Sequence, residues 1–207
     1  MFYRLVVWGL RGFFRLFYRF HIEYVGENYP QGAIIAPNHA SFLDPLVIAA
    51  ACREEVHFLA RSSLFRRTWW ACVLEHLNAH PVNGSLQDLS SLRSVIESLR
   101  QGKKVVLFPE GGRTETGELQ NVKMGVAMLA LRAGVPILPV FIQGTFEAWP
   151  RHSFWPRWGK SIRCCFGEPI FPPPVTKHLQ KKDAQLILLK KMEESLKQLQ
   201  QWAEHRQ

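Results

Sequence analysis

Short apolar runs alternate with amphipathic stretches along most of this chain of 207 residues. The apolar runs predict buried strands at 22–25, 33–36, 56–59, 104–108, 137–142 and 162–166. Apolar residues at helical spacing predict helices at 44–51, 63–77, 86–99, 122–131 and 183–205. Strands that alternate with helices indicate an α/β fold, in which helices flank a mostly parallel or mixed sheet within a single domain.

The first twenty residues are rich in aromatic and aliphatic side chains and contain no acidic one. Their apolar runs are much shorter than the ~20 residues of a membrane-spanning helix. Wound as a helix, they place four arginines on one arc: Arg4, Arg11, Arg15 and Arg19. This pattern predicts an amphipathic helix in a membrane interface, with its arginines toward lipid phosphates. The alternative is a packing helix whose arginines face water.

Charge and aromatic content narrow the class of partner. The chain holds 26 Lys and Arg against 17 Asp and Glu, a formal charge of +9 that favours an anionic partner. The seven tryptophans favour a membrane surface as the anionic partner. We do not expect the chain to bind nucleic acid. The four cysteines lack metal-site or disulfide spacing and predict buried, reduced thiols.

The segment at 38–45, NHASFLDP, follows a predicted buried strand and opens a helix. Asp44 can orient the ring of His39 and raise the basicity of its other nitrogen, so that the imidazole deprotonates an alcohol. Ser41 is a candidate nucleophile, although it lacks a nucleophile-elbow sequence. The alternative is that Asp44 only caps the helix and His39 is an ordinary loop residue.

Two further segments follow predicted strands. In the segment at 108–114, FPEGGRT, two glycines precede Arg113. The backbone N–H groups of the glycines can approach an anion closely, and the planar guanidinium group of Arg113 suits phosphate. Arg61 follows the strand at 56–59 and would supply a second cation at the same edge of the sheet. A glycine-rich turn with a surface arginine is the alternative for the first of these.

The order and spacing of these segments resemble those of the PlsC-like glycerolipid acyltransferases, whose best-known members are 1-acylglycerol-3-phosphate acyltransferases. The resemblance covers roughly 25–145, through NHASFLD, FPEGGRT and VPILPV in that order. Gly112 stands where Thr is usual in the family, and Thr114 where Ser is usual. Arg61 stands where Lys is common, and Gly84 stands where a basic residue is typical.

The resemblance implies the roles of the site residues. It makes His39 the general base and Asp44 its orienting partner. It assigns the acceptor phosphate to Arg61 and Arg113, in a pocket that is completed by Glu110, Gly111 and Gly112. No metal or cofactor is implied, because the acyl group comes from acyl-CoA or acyl carrier protein as a co-substrate.

The resemblance also implies a function and a division of the chain. We expect transfer of a fatty acyl group to the free hydroxyl of lysophosphatidic acid (1-acylglycerol-3-phosphate), giving phosphatidic acid for phospholipid biosynthesis. We expect a membrane-associating helix at 1–21, an acyltransferase catalytic domain at 22–175 and a C-terminal helix packed on the core at 176–207. The enzyme would be peripheral on the cytoplasmic face of a membrane.

Other functions stay open at this point. The acceptor could be another lysophospholipid or glycerol-3-phosphate, and a non-catalytic lipid-binding protein would keep the pocket without the chemistry. An ester or thioester hydrolase would use Ser41 together with His39. The aromatic segment, defined as residues 149–160, carries three cations and no acid, and is either a membrane-contacting loop or lid, or a rigid loop on the core.

Overall fold

A computed structural model describes residues 2–26, 29–61, 78–82, 89–174, 176 and 179–206. Its helices are α1 (Phe2–Phe17), α2 (Asp44–Ala51), α3 (Leu89–Arg100), α4 (Gly125–Ala133), α5 (Thr145–Ala148) and α6 (Lys181–Glu204). Its strands are β1 (Arg19–Tyr24), β2 (Ala33–Pro37), β3 (Val56–Arg61), β4 (Ala79–Val82), β5 (Lys104–Val106), β6 (Ile137–Gln143) and β7 (Ser161–Phe166). The predicted helix at 63–77 lies outside the described residues.

Within the described ranges, seven strands form one sheet in the order β1-β7-β6-β2-β5-β3-β4. The β6–β7 pair is antiparallel and the other neighbouring pairs are parallel, so the predicted mixed α/β sheet is confirmed. All five residues of the central strand β2 are buried, because helices cover both faces of the sheet there. Since β2 and β5 are parallel neighbours, the loops that follow them meet at one edge of the sheet.

Alternate residues of β2 belong to different hydrophobic cores. Ile35 packs with α1 and α2 on one face of the sheet. Ile34 packs with α3, α4 and α6 on the other face, where α6 buries Leu188, Met192 and Leu196. This alternation follows from the two-residue period of a strand, and it explains why β2 is an uninterrupted apolar run.

One strand and one helix are absent from the sequence-based prediction. The strand β4 is four residues long and contains Pro81, so it carries neither a long apolar run nor a clean alternation. The helix α5 is a single turn that begins after Gly144. Both are too short for hydrophobic periodicity to reveal.

The helix α1 is amphipathic, but its arginines do not all lie as predicted. Tyr3, Val7 and Phe14 are buried against the core. Arg11 turns inward, where its Nε donates to the carbonyl oxygen of Ala50 and its Nη2 to that of Cys52, each over 2.6 Å. The prediction that Arg11 faces lipid phosphates is therefore wrong, because the last carbonyl groups of α2 lack helical partners and bind its guanidinium.

Arg19 lies in β1 rather than in α1, so its predicted position on the helix is wrong. Among the described helices, none is both long enough and apolar enough to cross a membrane. Three cysteines, Cys52, Cys164 and Cys165, are buried free thiols as predicted, and the fourth lies outside the described residues.

Candidate active site

The loop that follows β2, residues 38–43, is called the histidine loop here. Asn38 fixes its start, because its side chain donates to the carbonyl oxygen of Ile142 (3.1 Å) and accepts from the N–H of the same residue (2.7 Å). Farther along, the N–H of Thr114 donates to the carbonyl oxygen of His39 over 2.9 Å. The histidine loop is thus tied to β6 on one side and to the loop after β5 on the other.

A buried carboxylate orients the ring of His39. Oδ2 of Asp44 lies 2.8 Å from Nδ1 of His39 and accepts from the N–H groups of Ala40 and Ser41, each over 2.7 Å. Because a carboxylate can only accept, Nδ1 carries the proton and Nε2 keeps its lone pair. The imidazole is stacked on Phe108, with ring centroids 3.9 Å apart, and this contact fixes its plane.

Asp44 is the first residue of α2, whereas Leu43 holds the capping position and makes no side-chain cap bond. The alternative in which Asp44 only caps the helix is therefore wrong. Its carboxylate points back over the histidine loop instead of forward along α2. The sequence signal was ambiguous because an acidic residue before Pro45 fits either position.

Ser41 has partners other than His39. Its Oγ donates to the carbonyl oxygen of Trp149 over 2.6 Å and accepts from the N–H of Leu43 over 3.1 Å. The residue is fully buried. A hydroxyl held in this way lacks the serine–imidazole hydrogen bond of a hydrolase.

The loop that follows β5, residues 107–114, is called the arginine loop here. Oε1 of Glu110 accepts from the N–H of His39 over 3.3 Å, which joins this loop to the histidine loop. Burial raises the pKa of the Glu110 carboxyl to about 7, although the hydrogen bond from His39 lowers it. Gly111 has φ +73°, a left-handed conformation that glycine adopts without strain.

Arg113 is held against an aromatic ring of the histidine loop. Its Cζ lies 3.6 Å from the ring centroid of Phe42, a cation–π contact. Burial is the main cause that lowers the pKa of its guanidinium, and the charge of Arg151 lowers it further. Its buried Nη1 has no hydrogen-bond partner among the described residues.

Arg113 lines a pocket of about 480 Å³, called the anion pocket here. The other predicted residues that line it are Glu110, Gly111 and Gly112. The backbone of Arg61 lies at the end of β3, and its side chain is outside the described part of the structure. His39 adjoins the anion pocket through its bond to Glu110 rather than lining it.

Two cations of the anion pocket were not predicted as site residues: Lys123 and Arg151. Lys123 reaches the pocket because its N–H donates to the carbonyl oxygen of Pro109 over 2.9 Å. Arg151 belongs to the aromatic segment, whose Pro150 forms a bridge to Ser41. Both positions depend on contacts between distant parts of the chain, so no local pattern signals them.

The chain is similar to three known proteins in sequence or fold. The chain is 27% identical over 180 residues to a 1-acyl-sn-glycerol-3-phosphate acyltransferase of Bacillus subtilis, covering 86% of each protein. It is 28% identical to a chloroplastic protein of the same description in Arabidopsis thaliana, covering 66% of this chain and 39% of that one. The fold is similar to that of PlsC, a 1-acyl-sn-glycerophosphate acyltransferase from Thermotoga maritima, with a TM-score of 0.70 and 23% identity over 93% of this chain and 78% of that one.

A family model described as Acyltransferase matches residues 21–143. The match includes the histidine loop, the arginine loop and the four strands β2, β3, β5 and β6 that carry or flank them. The matched region spans more than half of the sequence and contains His39, Asp44 and the whole arginine loop. The chain therefore belongs to the acyltransferase family.

Proposed function

We propose that this chain transfers a fatty acyl group from acyl-CoA or acyl carrier protein to the free hydroxyl of 1-acylglycerol-3-phosphate, producing phosphatidic acid. The observation that carries the proposal is the hydrogen bond of 2.8 Å between His39 and Asp44, next to a pocket lined by Arg113. The names of the similar proteins from Bacillus subtilis and Arabidopsis thaliana support this acceptor.

The imidazole of His39 acts as a general base. Nε2 removes the proton from the acceptor hydroxyl while that oxygen attacks the carbonyl carbon of the thioester. The carbon–sulfur bond then breaks, the acyl group stays on the acceptor oxygen, and the thiolate of the donor takes the proton from Nε2 of the imidazolium, which restores the neutral ring of His39. Asp44 stabilises the imidazolium that forms, and base catalysis of this kind accelerates a reaction by roughly 10²–10⁴-fold.

Binding of the acceptor phosphate positions the hydroxyl. Arg113 lies beside the histidine loop through its contact with Phe42, so a phosphate bound there keeps the rest of the acceptor near His39. Holding two reacting groups together in this way removes much of the entropic barrier to a bimolecular reaction. Arg61, at the end of β3, is a further candidate for this phosphate.

Two other functions are less well supported. The bonds of Ser41 to Trp149 and Leu43 leave its hydroxyl away from His39, which argues against a serine hydrolase. A lipid-binding protein without catalysis would have no need for a buried carboxylate that accepts three hydrogen bonds around one imidazole.

The acceptor is a lipid, and the surface of the protein supports peripheral attachment to a membrane that contains it. We define the apolar surface as the exposed side chains of α1 and the aromatic segment, which are Phe2, Leu5, Trp8, Leu16, Phe17, Phe154, Trp155 and Trp158. Trp158 joins the two parts, with its ring centroid 5.8 Å from that of Phe13 and 5.3 Å from that of Phe17. Neither part contains an acidic residue.

Exposure on this scale favours a lipid surface over water. Trp8 is 78% exposed and Phe154 is 91% exposed. Contiguous exposed aromatic side chains are costly in water but stable at a lipid interface, and basic neighbours such as Arg15 and Lys160 attract anionic headgroups. We propose that the apolar surface rests on the cytoplasmic face of a cell membrane.

The experiment that tests the function uses purified protein and radiolabelled acyl-CoA. Glycerol-3-phosphate, lysophosphatidic acid and lysophosphatidylcholine are offered in parallel. We expect label in phosphatidic acid when lysophosphatidic acid is the acceptor, little product from the other two, and no free fatty acid. His39→Ala should abolish this product, whereas His21→Ala, at an exposed position in β1, should not.

Formation of product by the His39→Ala protein at the wild-type rate would contradict the mechanism. Preferred acylation of glycerol-3-phosphate or lysophosphatidylcholine would contradict the proposed acceptor. Replacing acyl-CoA with the radiolabelled acyl thioester of acyl carrier protein in the same assay identifies the donor.

A further inference from the structure

The anion pocket holds a second guanidinium group besides that of Arg113. Among the described residues, the charged side chains that line the pocket are Arg113, Lys123, Arg151, Glu110, Glu115 and Glu118. Arg113 belongs to the arginine loop, whereas Arg151 belongs to the aromatic segment, which follows β6 and α5 along the chain. The pocket is thus completed by two parts of the chain that are distant in sequence.

Backbone contacts fix the position of Arg151. The preceding residue, Pro150, forms an antiparallel bridge with Ser41 of the histidine loop. The hydroxyl of Ser41 donates to the carbonyl oxygen of Trp149. The indole Nε1 of Trp149 in turn donates to the carbonyl oxygen of Ser153 over 3.0 Å. These bonds lie on both sides of Arg151, so its main chain is held beside the loop that carries His39.

The side chain of Arg151 is directed by an acidic neighbour. Its Nη1 lies 3.5 Å from Oε1 of Glu115, which also lines the anion pocket. The side chain of Arg151 is 48% exposed, so the ion pair is weak. Most of the five N–H donors of its guanidinium group are therefore available to a ligand. Glu115 therefore keeps the group over the pocket without occupying it fully.

The two guanidinium groups repel each other across the pocket. Arg113 is partly buried, which lowers the pKa of its guanidinium, and the charge of Arg151 lowers that pKa further. Two like charges at one cavity are relieved when an anion lies between them. A phosphate monoester suits this position because its oxygens accept paired hydrogen bonds from planar guanidinium forks.

We propose that Arg151 binds the phosphate of the acyl acceptor together with Arg113, and so contributes to the choice of a phosphorylated acceptor. The inference rests on the proposed function and identifies a second cation of its acceptor site. It also gives the aromatic segment a role in the pocket, since the same segment carries Phe154 and Trp155 on the apolar surface.

The test compares acceptors with and without a phosphate. A short-chain lysophosphatidic acid and the corresponding monoacylglycerol are used below their micelle concentrations, so that membrane binding plays no part. The variants are Arg151→Ala, Arg151→Lys and, as a matched control, Arg157→Ala, an exposed arginine of the same segment outside the pocket. The Michaelis constants for both substrates and kcat are measured for each protein.

We expect Arg151→Ala to raise KM for lysophosphatidic acid about 10- to 100-fold, the loss typical of a hydrogen bond to a charged group. Its kcat, its KM for acyl-CoA and its activity on monoacylglycerol should stay within about twofold of the wild-type values. Arg151→Lys keeps the positive charge but lacks the paired N–H donors of a guanidinium group, so KM for lysophosphatidic acid should rise less than in Arg151→Ala. Arg157→Ala should match the wild-type protein.

An equal effect of Arg151→Ala on the two acceptors, or no effect on either, would overturn the proposal. Calorimetric titration with the short-chain lysophosphatidic acid, without acyl donor, separates this inference from the proposed function. Loss of at least tenfold in affinity on Arg151→Ala supports the inference even if the wild-type protein transfers no acyl group. Equal affinities refute it even if transfer is observed.

Discussion

The hydroxyl group of Ser41 donates to the carbonyl oxygen of Trp149 over 2.6 Å, and so joins the histidine loop to the aromatic segment. We predict that Ser41→Ala keeps most of the catalytic activity, because the hydroxyl is bonded to Trp149 and Leu43 and the proposed mechanism does not use it. The free energy of unfolding should fall by about 1–3 kcal/mol, since the carbonyl of Trp149 and the N–H of Leu43 lose a buried partner. Steady-state kinetics and thermal unfolding test this. A thousandfold loss of kcat in a folded protein would favour Ser41 as a nucleophile.

Asp44 and His39 should behave as one unit. We predict that His39→Ala lowers kcat by roughly 10²–10⁴-fold with little change in KM for the acceptor, since the base acts in the transition state. Asp44→Asn should also lower kcat strongly, because an amide oxygen in the place of Oδ2 can still accept from Ala40 and Ser41 but lacks the negative charge that stabilises the imidazolium. The double variant should be little worse than either single one. Independent, multiplicative effects would contradict the paired role.

Two adjacent glycines of the arginine loop should respond differently to the same substitution. Gly111 has φ +73°, and a Cβ there would lie 2.6 Å from Nζ of Lys123. Gly112 has no atom within 4 Å of such a Cβ. We predict that Gly111→Ala lowers the free energy of unfolding by about 1–2 kcal/mol, whereas Gly112→Ala is nearly neutral. Chemical denaturation of both variants tests this, and equal stabilities would show that the turn tolerates a side chain.

The raised pKa of Glu110, about 7 against an ordinary value of 4.5, makes stability depend on pH. Between these values the folded chain binds more protons at this carboxyl than the unfolded chain does. Its contribution to stability is therefore full below about pH 4.5 and is lost as the pH rises through 7, by on the order of 2 kcal/mol. We predict that Glu110→Gln removes this slope.

Thermal unfolding at pH 5 and pH 8 measures the effect of Glu110. The variant should be about as stable as the wild-type protein at pH 5 and more stable at pH 8. A variant that loses stability on moving from pH 5 to pH 8 as steeply as the wild-type protein would place the titrating group elsewhere.

The apolar surface can be tested apart from the chemistry. We predict that replacing Phe154 and Trp155 with alanine weakens binding to vesicles that contain anionic phospholipid by at least tenfold, since each exposed aromatic ring contributes about 1.5–3 kcal/mol when buried. Phe171→Ala serves as a control, because Phe171 is 64% exposed and lies in a groove beside α6. Vesicle flotation measures binding. Equal binding by all three proteins would indicate that the aromatic segment stays in water.

The sequence predicts the parts of the fold that have strong local signals. The apolar run at β2 and the periodic pattern of α6 are long enough to identify a strand and a helix, and the structure confirms both. The strand β4 has no such signal, because it is short and contains Pro81. The division of the chain at 21 and 175 stays a prediction.

The site is predictable only where its residues are adjacent in a motif. His39 and Asp44 lie five residues apart, so one loop and one helix start bring them together. Arg151 reaches the anion pocket through an isolated bridge between positions 41 and 150, a contact between two loops that forms only in the folded chain. The predicted orientation of Arg11 is wrong for a similar reason. A helical projection of α1 does not include the carbonyl groups at the end of α2, which accept hydrogen bonds from Arg11.

The attachment of α1 to α2 has a consequence for the proposed catalysis at a lipid surface. Arg11 and the hydroxyl of Tyr3, which accepts from the N–H of Val56 over 3.2 Å, fasten α1 to the chain at the far end of α2. The other end of α2 is Asp44, roughly 12 Å away along a rigid helix. In the attachment that we propose, the depth of α1 among the headgroups would therefore set the height of the imidazole above the bilayer, and this height would be the same from one enzyme molecule to the next.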